Sequence, residues 1–98
     1  MPEPLSEHEI RAALDELPGW SYEGDRLHAS FELADFREAV AFIVKLAFEA
    51  EVMNHHPELT NVYNRVSLSL TTHDVGNQVT ERDLRLARAA QALLPART

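Results

Sequence analysis

The chain has 98 residues, a length at which we expect one domain, residues 1–98, built around one hydrophobic core. It contains no cysteine, which excludes disulfides, thiolate nucleophiles, iron–sulfur clusters and cysteine-ligated zinc. Sixteen acidic against nine basic residues give a formal charge of -7, which disfavours nucleic acid and anionic membranes as partners. The chain shows no secretory signal pattern and no apolar run long enough to span a bilayer, so we expect a cytoplasmic protein.

Three helix starts are indicated by capping boxes, in which a side-chain oxygen and a carboxylate three residues later accept from free N–H groups. The pairs are Ser6 with Glu9, Asp35 with Glu38, and Thr80 with Asp83. The first pair opens a predicted helix from about Glu7 to Glu16, which Pro18-Gly19 ends. The third pair opens a predicted final helix of the chain.

The second capping pair opens the central helix, predicted from Asp35 to Asn54 because this segment contains neither glycine nor proline. Pro57 disfavours helical backbone in the residue before it, so the helix is expected to end near His55. One apolar stripe is formed by Phe36, Val40, Ile43, Ala47 and Ala50. Residues 39–48 are apolar on nearly every face, so we expect a sheet on one side and a second copy of the chain on the other, in a homodimer or homotetramer.

Two strand pairs occupy the rest of the chain. The first is predicted at Trp20–Tyr22 and Arg26–Leu33 around a turn at residues 23–25, and the second at Leu59–Tyr63 and Arg65–His73, turning near Asn64. Apolar residues at 66, 68 and 70 alternate with polar residues at 67, 69, 71 and 73, as in a half-buried strand. The resulting order α-β-β-α-β-β-α predicts an α+β fold with a four-stranded antiparallel sheet and three helices packed on one face.

Three of the five histidines, His55, His56 and His73, are predicted to meet in a cleft between the end of the central helix and the end of the last strand. Glu51 precedes His55 by one helical turn, so its carboxylate and the negative helix end should favour the imidazolium. An imidazole that titrates near neutrality can donate one proton and accept another, as a dehydration requires. A flat floor for a planar heterocycle is expected from the hydroxyl side chains of Ser67, Ser69 and Thr71.

Simpler interpretations of these residues stay open. A glutamate and a histidine at helical spacing often form an exposed pair of little energetic consequence. His73 can simply end its strand, and Asp83 can act only as a helix cap. A zinc site is a third possibility, because nitrogen and oxygen ligands are offered by His55, His56, His73 and Asp74. Against zinc, the His-Glu-x-x-His spacing is missing. Motifs of other site types, namely phosphate-loop, dinucleotide-binding and serine-nucleophile motifs, are also absent from the sequence.

Taken together, these segments resemble the pterin-4a-carbinolamine dehydratase family. The resemblance rests on Glu51-x-x-x-His55-His56-Pro57, Tyr63, His73 and Asp83 at their mutual spacing. It is extended by Gly19-Trp20, Phe36-x-x-Ala39-x-x-Phe42, Asn61–Val66, Leu70–Asp74 and Thr80–Leu84, so that it covers almost the entire chain.

The resemblance implies an enzyme that removes water from 4a-hydroxytetrahydropterin, the spent cofactor of aromatic amino acid hydroxylases, to give quinonoid dihydropterin. It implies no metal or organic cofactor, a dimer or tetramer, and a functional link to such a hydroxylase. By position, the catalytic residues would be His55, His56 and His73. The substrate-binding or supporting residues would be Glu51, Asp83, Thr71 and Thr72.

Three positions depart from the family pattern. Leu59 stands where the family usually has tryptophan, so an aromatic wall of the pocket is expected to be absent or replaced. Asn77 follows Gly76 where a double glycine is common, and Arg65 replaces a lysine at a turn. Because some members of the family assist transcription factors or other enzymes, an assembly or dimerisation factor is the alternative function. The presence of all three histidines favours the enzyme.

Overall fold

The computed structural model describes residues 3–95 of the chain, and residues 1–2 and 96–98 lie outside this description. The described part contains the helices α1 (Glu7–Leu14), α2 (Phe36–Met53) and α3 (Glu81–Leu93) and the strands β1 (Trp20–Glu23), β2 (Arg26–Glu32), β3 (Glu58–Val62) and β4 (Arg65–Leu70). A single 3₁₀ turn, His73–Val75, lies between β4 and α3. The predicted order of elements and the α+β class are confirmed.

The four strands form one antiparallel sheet in the order β1-β2-β4-β3. The β1–β2 hairpin turns at Gly24 and Asp25, whose left-handed backbone (φ 60 and 61) suits the twist of a two-residue hairpin. The β3–β4 hairpin turns at Tyr63 and Asn64, as predicted. The Asn64 side-chain amide donates to the Leu33 carbonyl oxygen at 2.9 Å and so ties this turn to the end of β2.

The hydrophobic core lies between one face of the sheet and the helices. The sheet contributes the buried side chains of Trp20, Leu27, Ala29, Val66, Leu68 and Leu70. These positions alternate with exposed or half-buried polar residues, which confirms the predicted alternation in β4. Burial of each large aliphatic side chain contributes about 1.5–3 kcal/mol to folding.

The buried face of α2 differs from the predicted stripe. Helix α2 buries Ala39, Phe42, Leu46 and Ala50. Of the predicted stripe only Ala50 is buried and Ile43 half-buried, while Phe36, Val40 and Ala47 are exposed. The prediction was wrong because a helix that is apolar on most faces offers several stripes of equal length, and periodicity cannot select among them.

A row of large apolar side chains stays exposed along α2. It consists of Phe36, Val40, Val44, Phe48 and Val52, which are between 38% and 85% exposed. We call this row the α2 ridge. Within residues 3–95 no helix is both long enough and apolar enough to cross a membrane.

Two element ends differ from prediction near the histidines. Helix α2 ends at Met53, because Asn54 adopts the left-handed conformation (φ 50) of a helix C-cap. Strand β4 was predicted to reach His73 but ends at Leu70, and this prediction was wrong. Beyond it Thr72 forms an isolated bridge with Gln78, and Gly76 and Asn77, both left-handed, close a tight loop. Helix α1 also stops earlier than predicted, at Leu14.

Candidate active site

The three histidines singled out from the sequence line one hollow of about 360 Å³. Its walls come from the segment after α2, the segment after β4 and the first turn of α3: Asn54, His55, His56, Thr71, Thr72, His73, Asp74 and Arg82. This volume lies within the range of small-molecule sites. The expected meeting of histidines from two distant stretches of chain is therefore present.

His55 is held against the first turn of α3. Its side chain is 7% exposed, and Nε2 donates to Asp83 Oδ1 at 2.6 Å. The His55 backbone N–H donates to the Ala50 carbonyl oxygen at 3.0 Å, because the left-handed Asn54 turns the chain back over the end of α2. The short contact to a carboxylate fixes the orientation of the ring.

Asp83 is the centre of a buried hydrogen-bond network. Its side chain is 0% exposed, and Oδ2 accepts from the Thr80 backbone N–H at 2.9 Å and from Thr72 Oγ1 at 2.8 Å. The hydroxyls of Thr72 and Thr80 lie 2.7 Å apart. A buried carboxylate costs several kcal/mol unless it is hydrogen-bonded and paired. These contacts satisfy it and join the ends of α2 and β4 to the start of α3.

His56 makes the contact that was expected of His55. Its Nε2 donates to Glu51 Oε1 at 3.0 Å, and the two side chains are 59% and 79% exposed. The predicted Glu51–His55 pair is therefore wrong. The helical spacing does not apply, because α2 ends before His55 and the turn at Asn54 directs His55 to α3 and His56 to Glu51. Solvent screens the exposed pair, so its direct contribution to stability is small.

His73 reaches the hollow from the loop after β4. It begins the 3₁₀ turn and is exposed, and its Nδ1 donates to Asn77 Oδ1 at 3.3 Å. Asn77 adopts φ 61, a conformation that asparagine tolerates better than most residues. The departure from a double glycine thus leaves a loop that carries His73 into the hollow.

The predicted hydroxyl floor is only partly present. Thr71 lines the hollow, but Ser67 and Ser69 line a separate, wider depression of about 480 Å³ on the sheet face opposite the helices. The alternation of β4 directs both serines away from the helices, and only the residues beyond the end of the strand reach the histidines. Thr72 contributes through its contact with Asp83.

Arg82 is a residue of the hollow that the sequence analysis did not single out. It lines the hollow beside Asp74, and its Nη1 lies 3.5 Å from Asp74 Oδ2. A guanidinium offers several donors in a fixed plane to carbonyl or anionic groups of a ligand. Its position next to Asp83 in the first turn of α3 is the signal that could have identified it. Among residues 3–95, no group of three or more histidine, aspartate or glutamate side chains is arranged to hold a metal ion.

A second, apolar groove of about 300 Å³ adjoins the hollow. It lies between α2 and β3 and is lined by Ile43, Leu46, Ala47, Ala50, Glu51, His56, Pro57 and Leu59. His56 belongs to the walls of both spaces. Leu59, which stands in place of the family tryptophan, lines this groove rather than the histidine hollow.

The sequence matches a family model over residues 3–93, and that family is described as Pterin 4 alpha carbinolamine dehydratase. A protein of Opitutus terrae is 50% identical over 88 residues, which are 90% of this chain and 91% of that protein. A protein of Streptomyces avermitilis is 47% identical over 93 residues, with 95% and 92% covered. Both relatives carry pterin-4-alpha-carbinolamine dehydratase as a provisional name.

Two solved structures share the fold. A transcriptional coactivator/pterin dehydratase from Brucella melitensis superposes with a TM-score of 0.91 at 39% identity, covering 95% of this chain and all of that one. A pterin dehydratase-like protein described as a RuBisCO assembly factor in the alpha-carboxysome superposes with a TM-score of 0.67 at 22% identity, covering 81% and 93%. At that identity the second likeness concerns the fold alone.

Proposed function

Because the chain belongs to the pterin-4a-carbinolamine dehydratase family, we propose that it dehydrates 4a-hydroxytetrahydropterin to quinonoid dihydropterin in the cytoplasm. The observation that carries this proposal is the shared hollow of His55, His56 and His73. An aromatic amino acid hydroxylase is the proposed source of the substrate, since such enzymes release the 4a-hydroxylated pterin.

The reaction needs two proton transfers. The C4a–O bond breaks while the 4a oxygen receives a proton and leaves as water, and the N5 lone pair forms the new C=N bond. The proton on N5 is then lost to a base, so one proton is given and one is taken. Each well-placed transfer accelerates the reaction by about 10² to 10⁴. Two imidazoles on either side of the ring supply both groups.

We assign the proton-donating role to the carboxylate-bound imidazoles and the accepting role to His73. The Nε2 atoms of His55 and His56 each donate to a carboxylate, which fixes the orientation of each ring in the hollow. The Nδ1–H of His73 donates to the neutral amide oxygen of Asn77, which leaves Nε2 with the lone pair of a base. Thr71, Asp74 and Arg82 offer donors and acceptors to the polar edge of the pterin.

The first test measures dehydration of chemically prepared 4a-hydroxytetrahydropterin above its spontaneous rate. We expect His55→Ala and His73→Ala to lower kcat/KM at least tenfold while the far-ultraviolet circular dichroism is retained. The matched control is His8→Ala, which changes an exposed histidine of α1. Full activity in both hollow variants would contradict the mechanism. A folded wild-type protein with no rate above background would favour the alternative, an assembly or dimerisation factor.

A second test separates acid–base catalysis from the zinc interpretation. Activity is measured after exhaustive dialysis against a chelator and again after zinc is added. We expect the rate to be unchanged by both treatments. A collapse that zinc reverses would place a metal ion among His55, His56, His73 and Asp74.

We propose further that the α2 ridge is covered by a second copy of the chain in a homodimer or homotetramer. The ridge carries five large apolar side chains at a spacing of four. Ridges of this spacing pack against each other at a crossing angle of about −50°. We expect sedimentation to give a discrete oligomer at micromolar concentration and Phe48→Asp to dissociate it, whereas Ala12→Asp, at an exposed position of α1, should not. A strictly monomeric wild-type protein would contradict this proposal.

A further inference from the structure

We infer that the apolar groove beside His56 binds an apolar substituent carried by C6 of the pterin, and that Leu59 sets the size of substituent accepted. This inference rests on the proposed function, because it treats the histidine hollow as the place where the bicyclic ring reacts. It concerns a different space, the groove between α2 and β3.

The chemistry of the groove differs from that of the hollow. Carbon atoms face a space of about 300 Å³ from Ile43 and Ala47 of α2, from Pro57 just before β3, and from Leu59 of β3. The two ionisable side chains in the lining, Glu51 and His56, pair with each other, since the Glu51 carboxylate accepts from His56 Nε2 at 3.0 Å. The pyrimidine edge of a pterin would lose its hydrogen bonds with water in such a place without replacement, which disfavours binding there. The polar ring therefore fits the hollow, and an alkyl or aryl group fits the groove.

One ligand can extend from the hollow into the groove, because the two spaces meet at His56. His56 lines both the hollow and the groove. In a tetrahydropterin, C6 is bonded directly to N5, the atom that loses a proton in the proposed reaction. With the N5–C4a edge against the histidines, a C6 substituent begins one bond from the reacting atoms, at the boundary that His56 forms. The groove then receives that substituent without any change in the position of the ring.

Leu59 limits the groove from the sheet side. It is half-buried on the edge strand β3, opposite the buried Leu68 of β4. A tryptophan at this position has the volume to occupy part of the groove, so the residue at position 59 limits the space open to a ligand. Ala47 limits the groove from α2 and is exposed, so a larger residue there can fill the same space with little disturbance of the core.

The test compares two probe substrates, the 4a-hydroxytetrahydropterins with a methyl and with a butyl group at C6. Each buried methylene favours binding about fourfold, so we expect the wild-type kcat/KM for the butyl compound to exceed that for the methyl compound at least tenfold. Leu59→Trp and Ala47→Phe should each lower this butyl-to-methyl ratio at least tenfold. Ala41→Phe, at an exposed α2 position outside the groove, should leave the ratio unchanged.

Other results would overturn the inference in recognisable ways. A wild-type ratio near one, or a ratio unchanged in both groove-filling variants, would show that the groove takes no part in binding. An unchanged ratio with an altered sedimentation profile would assign the groove to contact between copies. Failure of the proposed function appears separately, as turnover of neither probe by the wild-type protein. Ala47→Phe decides the outcome if Leu59→Trp does not fold.

Discussion

Two helices of this protein start with the same type of capping box and use it differently. At α1, Ser6 Oγ accepts from the Glu9 N–H at 3.1 Å, and Glu9 Oε1 accepts from the Ser6 N–H at 3.0 Å. At α3, Thr80 Oγ1 accepts from the Arg82 N–H at 3.2 Å, and Asp83 Oδ2 accepts from the Thr80 N–H at 2.9 Å. The first box is exposed and the second is buried.

Burial gives the second carboxylate additional partners. Asp83 also accepts from Thr72 Oγ1 and, through its other oxygen, from His55 Nε2. Glu9, in contrast, is fully exposed and its cap is a local interaction. The capping role of Asp83 and its contact with a histidine of the hollow are therefore not alternatives, because different oxygens and different lone pairs of one carboxylate serve both. The cap of α3 therefore contributes to the histidine hollow, because its carboxylate is buried next to His55.

The largest effect is expected when the buried cap is broken. Asp83→Asn keeps the shape of the side chain but removes its charge, so His55 loses the anion that orients its ring. The amide NH₂ group, a donor, also replaces one of the two oxygens that accept hydrogen bonds. A buried group left without its hydrogen-bond partner costs about 1–3 kcal/mol, and Asp83 accepts from Thr72, Thr80 and His55. We therefore expect a lower Tm together with at least a tenfold loss of kcat/KM. Thermal unfolding and dehydration kinetics measure both. Wild-type activity in Asp83→Asn would separate Asp83 from catalysis and leave it a cap alone.

An intermediate effect is expected one contact away from the carboxylate. Thr72→Val removes the hydroxyl that donates to Asp83 Oδ2 at 2.8 Å while keeping the side-chain shape. The loss of this donor should cost about 1–3 kcal/mol and lower Tm by about 4–8 °C per kcal/mol. The matched control is Thr71→Val, whose hydroxyl donates to the Asp25 carbonyl oxygen at 3.2 Å in an exposed contact. Equal losses of Tm in the two variants would show that the buried hydrogen bond contributes no more to stability than the exposed one.

What the sequence predicted well is what neighbouring residues determine. The three helix starts and the alternation in β4 depend on residues within a few positions of each other. They agree with the structure, except that Glu38 Oε1 accepts from the Ala34 N–H rather than from that of Asp35. Periodicity failed for α2, where apolar residues on most faces allowed several stripes.

The partners of the histidines could not be predicted from spacing. The left-handed backbone of Asn54 separates two adjacent residues, so that His55 meets Asp83 and His56 meets Glu51. Helical spacing does not apply beyond Asn54, because this single left-handed residue ends the helix. The contact of His55 with Asp83 joins positions 28 apart in the chain, which local sequence patterns do not indicate. The end of β4 was missed for a similar reason, since the bridge of Thr72 to Gln78 depends on a loop closed by two left-handed residues.

The smallest effect is expected at the exposed cap, where it should depend on pH. The pKa of Glu9 lies below its usual value because its carboxylate accepts from the Ser6 backbone N–H and contacts the Ser6 hydroxyl. A lowered folded-state pKa means that the ionised carboxylate stabilises the fold above the unfolded-state pKa of about 4.3, and that this contribution is lost as the pH falls through the folded-state value. Glu9→Gln should therefore lower Tm slightly at neutral pH, with the difference from wild type vanishing in acid, whereas Glu16→Gln, outside the box, should show no such trend. A Tm difference that stays constant into acid would assign the effect to shape rather than charge, and one as large as that of Asp83→Asn would mean that burial does not distinguish the two boxes.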